Sequence, residues 1–340
     1  MYYNRKKKLY LVVGVALLVV ILAGYLKYKS DISSAVDSTS QTKVSFLIKK
    51  GETAKDIGKD LKDKGFIKSD FSFYWYIKLN SLGEKIVAGR FMLAKSMTTK
   101  EIAAHITNSK EAEFIITIQE GLRIKDIDQK LVDLELIKPS EFIDAVKKFD
   151  GWKYYTFLDK PTLEKLDLPL EGYIYPDTYF LSPSDFKASD LIYLALDNFE
   201  NKFKDYQPQI KKHTVSEIVT MASIIENEVF GKENREIVSG ILWKRLNSGW
   251  KLDTDATIIY VTGDRKITSA DLQLDSPYNT RKFGGLPPGP ICNPSIESIL
   301  AAMFPKESDY WFYLTTLDTG EVIYAKSNDE QNVNKAKYLQ

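Results

Sequence analysis

One cysteine and two histidines are all that the 340 residues provide, and these scarcities exclude several classes of protein at once. Cys292 has no partner for an internal disulfide, so the fold must rest on its core alone. His105 and His213 stand far apart with no cysteine or histidine cluster nearby, which leaves no metal site to be read from spacing. Both are expected as surface or helix-cap residues. An excess of charge is also missing. Lys and Arg number 47 against 46 Asp and Glu, and once Arg5, Lys6, Lys7 and Lys8 are set aside the acids slightly outnumber the bases. No basic stripe argues for nucleic acid. What is present is a composition 44% hydrophobic and 12% aromatic, enough for a large core divided among two or more domains.

The run LYLVVGVALLVVILAGYL, residues 9–26, is apolar and uncharged at about the length that crosses a hydrocarbon layer. The cations at 5–8 precede it, so the positive-inside rule keeps residues 1–8 in the cytoplasm and places the rest outside the plasma membrane. A cleaved signal peptide is the alternative. The run is longer than a usual signal core and no A-x-A-like site closes it, which favours a retained single-pass anchor. Residues 27–42 include SDISSAVDSTSQT, without periodicity, and read as a flexible linker.

An internal repeat follows. Ile48, Gly51, Lys55-Asp56-Ile57, Leu61 and Ile67-Lys68 recur as Ile118, Gly121, Lys125-Asp126-Ile127, Leu131 and Ile137-Lys138. Each copy reads as a strand, a turn at glycine, an amphipathic helix and a second short element. Residues 43–110 are therefore expected as a small α+β module, and that module resembles a LysM-like domain, the type that grips glycans containing N-acetylglucosamine. The second copy lies in 111–165, at the head of a mixed α+β domain spanning 111–340.

Within that domain, Val215–Val229 has helical periodicity, with Val215, Ile218, Val219, Ala222, Ile225 and Val229 on one face. Glu226 projects between Val215 and Val219. A carboxyl so placed has its charged form disfavoured, as a general acid requires. On the pattern alone it is equally a core-edge residue paired with a lysine or arginine. Glu228 falls on the other shoulder beside Glu217, where a solvated role is expected. In EGYIYPDTYFLS, from Glu171 to Ser182, Tyr173, Tyr175, Tyr179 and Phe180 surround Pro176 and Asp177. Such aromatics stack on sugar rings, and more often they form core. The loop Gly284–Pro294 holds four prolines and three glycines and suits a preorganised cleft wall. Ser295 and Glu297 open a further helix, and Tyr310–Thr315 and Glu321–Ala325 read as two strands joined by a turn.

The ordered series LEGYIYPDTY, ASIIENEV, LDTDATIIY, SPYNTRKFGGLPPGPICNPSIESI and the closing strands resembles the endolytic murein transglycosylase family. The resemblance runs from about Val44 to the C-terminus. It implies a peptidoglycan lytic transglycosylase, a carbon–oxygen lyase that cuts the β-1,4 bond between N-acetylmuramic acid and N-acetylglucosamine in nascent strands and leaves a 1,6-anhydro end, terminating elongation. The family's catalytic glutamate falls on Glu226. Tyr175, Asp177, Asp255, Tyr278, Asn279 and Asn293 match polar or aromatic motif positions and are the candidate substrate-binding wall. No cofactor or metal is called for, because the sugar supplies the nucleophile. The expected partners are glycan strands and the membrane, with peptidoglycan synthases or division proteins as further candidates.

This sequence departs from the family in two places. A Gly-His pair and a Glu-His-Asn are common in its closing segments, whereas Gly320-Glu321 and Glu330-Gln331-Asn332 stand here. Two other readings stay open: a muramidase-like hydrolase needing a second carboxylate, with Asp177 and Asp255 as candidates, and a non-catalytic wall-binding scaffold.

Overall fold

The computed structural model describes residues 2–49, 51–109, 111–181, 186–316 and 318–339, with side chains from residue 11 onward except that of Phe114. The cations at 5–8 and the closing Ser182 of the aromatic motif thus lie outside what the structure describes of side chains or backbone. The chain divides into two compact units, Met1–Ile116 with Phe180–Phe186, and Thr117–Tyr179 with Lys187–Gln340.

The first unit begins with helix α1, Tyr2–Ser33. Its Leu11–Ser33 portion is long and apolar enough to cross a membrane by length and composition. The flexible linker expected over 27–42 is not what the chain forms. The helix continues to Ser33, Ile32 is buried, and the Asp31 carboxylate accepts a hydrogen bond from the Ser72 hydroxyl at 2.9 Å. Beyond it, Asp37 N–H donates to the Lys95 carbonyl and Ser96 N–H to the Ser40 carbonyl. Serine- and aspartate-rich composition suggested a tether; here Asp31 and the backbone of Asp37 and Ser40 bond to the module, while the side chains of residues 36–39 stay exposed.

The module that receives them runs β1 (Lys43–Ile48), α2 (Ala54–Asp63), α3 (Asp70–Leu79), β2 (Gly89–Ala94) and α4 (Thr99–Ile106). β1 and β2 pair antiparallel, Lys43 opposite Ala94 and Ile48 opposite Gly89. Phe46, Ile57, Leu61, Phe73, Phe91 and Ile102 fill one core between sheet and helices. Thr53 and Thr98 start α2 and α4 with reciprocal capping boxes to Asp56 and Glu101.

β3 (Phe114–Thr117) pairs with β4 (Thr178–Leu181), and the unit boundary falls within these two strands. The second unit carries α5 (Ile124–Asp133), α6 (Glu141–Lys147), the single-turn α7 (Lys160–Leu163), α8 (Ala188–Phe203), α9 (Val215–Glu228), α10 (Lys232–Asn247), α11 (Asp255–Thr262), α12 (Ile296–Met303), β5 (Phe312–Thr315), β6 (Val322–Ala325) and α13 (Asn328–Tyr338). The closing strands form the expected antiparallel hairpin, Phe312 opposite Ala325. The fold is thus α+β, mostly helical around three two-stranded sheets among the described residues. The repeat is visible in the backbone. A strand, a positive-φ glycine (Gly51, Gly121) and a pair of helices occur in both copies.

Candidate active site

Thr214 caps α9 in a reciprocal box with Glu217, and from Ile218 to Glu226 every side chain is buried. The helix is therefore central. The one-sided apolar face expected from the sequence covers only part of it, because α12, α10 and α11 pack around its other sides. Ser223 Oγ accepts the Ile291 N–H at 3.0 Å, Asn227 Nδ2 donates to Cys292 Sγ at 3.0 Å, and that thiol donates to the Ser223 carbonyl at 3.3 Å. These bonds fasten the proline-rich loop along α9. Gly172, at φ +89°, shows how close the fit is: a Cβ there would lie 2.5 Å from Pro290 Cβ.

Glu226 is 7% exposed, with both oxygens engaged. Oε1 accepts from Arg235 Nη2 of α10 at 2.8 Å; Oε2 accepts from Ser295 N–H at 2.8 Å and Ser295 Oγ at 2.6 Å. Ser295 is the N-cap of α12, and its hydroxyl oxygen accepts the Ser298 N–H, so its one proton is left for Glu226. Three donors and the N-terminal end of a helix dipole thus face the carboxylate. Arg235, 5% exposed, reaches Glu297 Oε2 with Nη1 at 2.7 Å, and its Nε has no hydrogen-bond partner among the described residues. The core-edge pairing left open by the sequence is therefore present, with Arg235 as the cation.

Two neighbours complete the arrangement, and sequence reasoning missed one of them. Gly121, at φ +79°, brings backbone against Glu226; a Cβ added there would sit 3.9 Å from Glu226 Cγ. Its N–H donates to the Asn293 carbonyl. Glu120 immediately precedes it, open to solvent, and loss of water around its carboxyl followed by the charge of Glu226 pushes it above the usual carboxylate range, against the pull of Arg235. Glu226 and Glu297 thus share one guanidinium, and Glu120 lies within its electrostatic reach. The signal was available: an acid directly before the turn glycine, where the first repeat has Lys50.

The candidate wall residues divide. Asn293 is fully buried, accepting from Ile174 N–H and donating Nδ2 to the Leu122 carbonyl, and so fixes the Gly121 turn beside Glu226. Asn279 is also buried, its amide bonded to the Leu272 and Leu274 carbonyls within its own loop. Tyr175 is buried edge-on to Phe199, and Tyr173 and Tyr179 join the core with it. Asp177 accepts from Asn198 at 2.8 Å and from Thr178 N–H at the head of β4. The Tyr278 ring lies tilted by 42° against Tyr260, centroids 4.9 Å apart. Asp255 pairs with Arg281 at 2.6 Å and shares it with Asp253.

Glu228 does not take the solvated place expected of it. It is half-buried, accepts from the Tyr313 hydroxyl at 3.0 Å, and lines a cavity of about 400 Å³ with Asp255, Arg281 and Gln331; burial pushes its carboxyl up. Gln331, where the family often has histidine, is buried there and donates to the Tyr313 carbonyl. Glu321 is exposed in the hairpin turn. A further buried carboxyl, Glu171, is 1% exposed and, among the described residues, accepts only the Ile124 N–H at the start of α5; burial lifts it to about 8. An acid inside LPLEGYIY was the available sign of it.

The surroundings of Glu226 are assembled from segments that are distant in sequence, and the whole of this stretch has relatives. A family model described as the YceG-like family matches residues 46–337. An endolytic murein transglycosylase of Bacillus subtilis is 31% identical over 94% of this chain and 91% of the relative. One from Streptococcus pneumoniae is 28% identical over 93% of this chain and 62% of the relative. The crystal structure of a YceG-like protein from Listeria monocytogenes superposes with a TM-score of 0.61 at 31% identity, covering 86% of this chain and 98% of that one. With the match running through both units and across every segment that meets Glu226, the chain belongs to the YceG-like family.

Proposed function

We propose that the protein is a membrane-anchored endolytic peptidoglycan lytic transglycosylase. The observation that carries this reading is Glu226, buried yet reached by an arginine and two Ser295 donors beside the Gly121 turn. In the first step Glu226 protonates the glycosidic oxygen, so the N-acetylglucosamine leaves as an alcohol. As a carboxylate it then accepts the proton of the muramyl C6 hydroxyl while that oxygen bonds to C1, closing the 1,6-anhydro ring. Atoms balance without water or cofactor. Arg235 and Ser295 serve the carboxylate half of the cycle, since every contact they make with Glu226 donates a hydrogen bond to it.

In this reading α1 is a retained single-pass anchor with its N-terminus cytoplasmic, the module at 43–110 is a LysM-like glycan grip, and the products are terminated nascent strands. Synthases or division proteins are the proposed neighbours. The hydrolase reading gains one specific support: Glu120, a carboxyl outside the Asp177 and Asp255 candidates, lies close enough to Glu226 to be raised by its charge. A water activated there would yield reducing ends. Mass spectrometry of uncrosslinked strands treated with the full chain in detergent, wild type beside Glu226→Gln, separates the cases. Anhydro ends from wild type alone support the lyase; reducing ends support the hydrolase, and intact strands with both proteins refute either activity.

A further inference from the structure

Helix α3 has two apolar faces, and only one is used by the core. Phe73 and Ile77 are buried in the module, while Phe71 and Leu79 are each 67% exposed. Phe71, Trp75 and Leu79 fall at i, i+4 and i+8, with Tyr74 and Lys78 beside them, so they form one outward stripe. The rings touch: Phe71 to Trp75 at 6.2 Å, and Tyr74 to Trp75 at 5.9 Å. Lys78 Nζ lies over Trp75 at 5.1 Å. An apolar stripe of this kind on a soluble surface calls for an occupant.

The position of α3 relative to α1 says what that occupant is. Ser72 meets Asp31 of α1, and one turn further along α3 the Tyr76 phenol lies near enough to act electrostatically on Tyr28 of α1. As α3 advances from 72 to 76 the matching position on α1 moves back from 31 to 28. The helices are therefore antiparallel, and α3 runs toward the apolar segment. At 1.5 Å per residue in both helices, Leu79 reaches the level of about Tyr25, in the last turn of the uncharged run. Thr99 Oγ1 on the Asp31 carbonyl and Lys68 on Ser34 lock the base of α1 to the same module, so this level is fixed.

We infer that the outward stripe of α3, centred on Trp75 and Leu79, sits in the headgroup and glycerol layer of the bilayer that α1 spans. Amphipathic aromatics favour that layer, and a lysine stem lying along them can carry its ammonium out to lipid phosphate. The inference rests on the anchor reading of α1. It gives the module a second hold on the membrane and one fixed orientation above it.

The test uses the full chain in nanodiscs of phosphatidylethanolamine and phosphatidylglycerol, carrying a nitroxide at Leu79→Cys, at Val19→Cys in the middle of α1, or at Asp63→Cys near the opposite end of α3. Cys292 is buried, and wild type carried through the same labelling reaction controls for it. Power saturation compares collisions with oxygen, concentrated in lipid, and with an aqueous nickel chelate. The expected result is an oxygen-to-nickel ratio at Leu79→Cys several-fold above that at Asp63→Cys and nearer to Val19→Cys. A ratio at Leu79→Cys equal to that at Asp63→Cys, with Val19→Cys high, overturns the inference and leaves the anchor standing. Exclusion of both reagents at Leu79→Cys means another protein surface covers the stripe, which also overturns it. An aqueous Val19→Cys removes the anchor itself, and with it the inference.

Discussion

Glu226 and Glu171 are carboxyls of the same unit, 7% and 1% exposed, and the chain surrounds them in opposite ways. Glu226 meets Arg235 and both Ser295 donors. Glu171 has one backbone N–H, from Ile124. A guanidinium stands near Glu171 too, but Arg123 is bound through Nε and Nη2 to Asp126, each at 2.9 Å, so its charge is already matched. Burial then dominates and Glu171 is driven toward the neutral form, to about 8. Similar burial thus leaves a carboxyl met by three donors in one place and a carboxyl driven neutral in the other. The partners decide which, and each can be altered.

The largest effect is expected from Glu226→Gln. The amide keeps the shape and can still accept from Ser295, but it can neither give nor take the proton. Strand cleavage should fall by about 10³-fold, read as anhydro-ended fragments per unit time. Retained cleavage would move the chemistry to Glu120.

Next comes Arg235→Met, which places Glu226 nearer the circumstances of Glu171. A buried carboxylate left without its cation costs about 3–5 kcal/mol, measurable as a lower urea midpoint. The double variant Arg235→Met with Glu226→Gln should recover part of this loss, since no uncompensated charge then remains. If the single and double variants are equally unstable, Arg235 contributes packing rather than charge.

How much of this contrast could be read in advance follows from sequence distance. The period of Val215–Val229 gave α9 almost to the residue, and the serine before Ile296 gave the start of α12, because both signals are local. The burial of Glu226 was legible for the same reason. Arg235 was not, although only nine residues away, because the turn at Gly231 reverses the chain and no periodicity carries across it. Asn293 was marked as a wall residue by motif position, and its bonds to Leu122 and Ile174, far away in sequence, leave no trace in that motif. The segment at 34–42 looked like a tether because hydrogen bonds from Asp37 and Ser96 to distant carbonyls leave no mark in composition.

Glu171→Gln addresses the other half of the comparison. Its folded value is raised from the usual 4.5 to about 8, so between those values the folded state holds a proton that the unfolded state has released. Stability therefore falls as pH rises from about 4.5 to about 8 and levels off above, with nothing lost below the window. The amide carries no such proton and can accept the same Ile124 N–H. Relative to wild type, the variant should be equally stable at pH 4.5 or below and more stable by a few kcal/mol at pH 8, by thermal or urea unfolding. Parallel profiles across that window would mean that Glu171 finds a partner for its second oxygen.

The smallest effect separates two roles of one side chain. Ser295 caps α12 by accepting the Ser298 N–H and orients Glu226 by donating its own proton. Ser295→Ala removes both and keeps only the backbone donor, so about 1–2 kcal/mol of stability should go, with roughly a tenfold loss of cleavage. Ser295→Asp keeps the cap, because a carboxylate accepts at an N-terminus at least as well, but it sets a like charge against Glu226 with no proton to give. If orientation of Glu226 is what Ser295 contributes to activity, the aspartate variant is the less active of the two although its helix is capped. If its contribution is only the cap, activity follows the cap and the aspartate variant outperforms the alanine one.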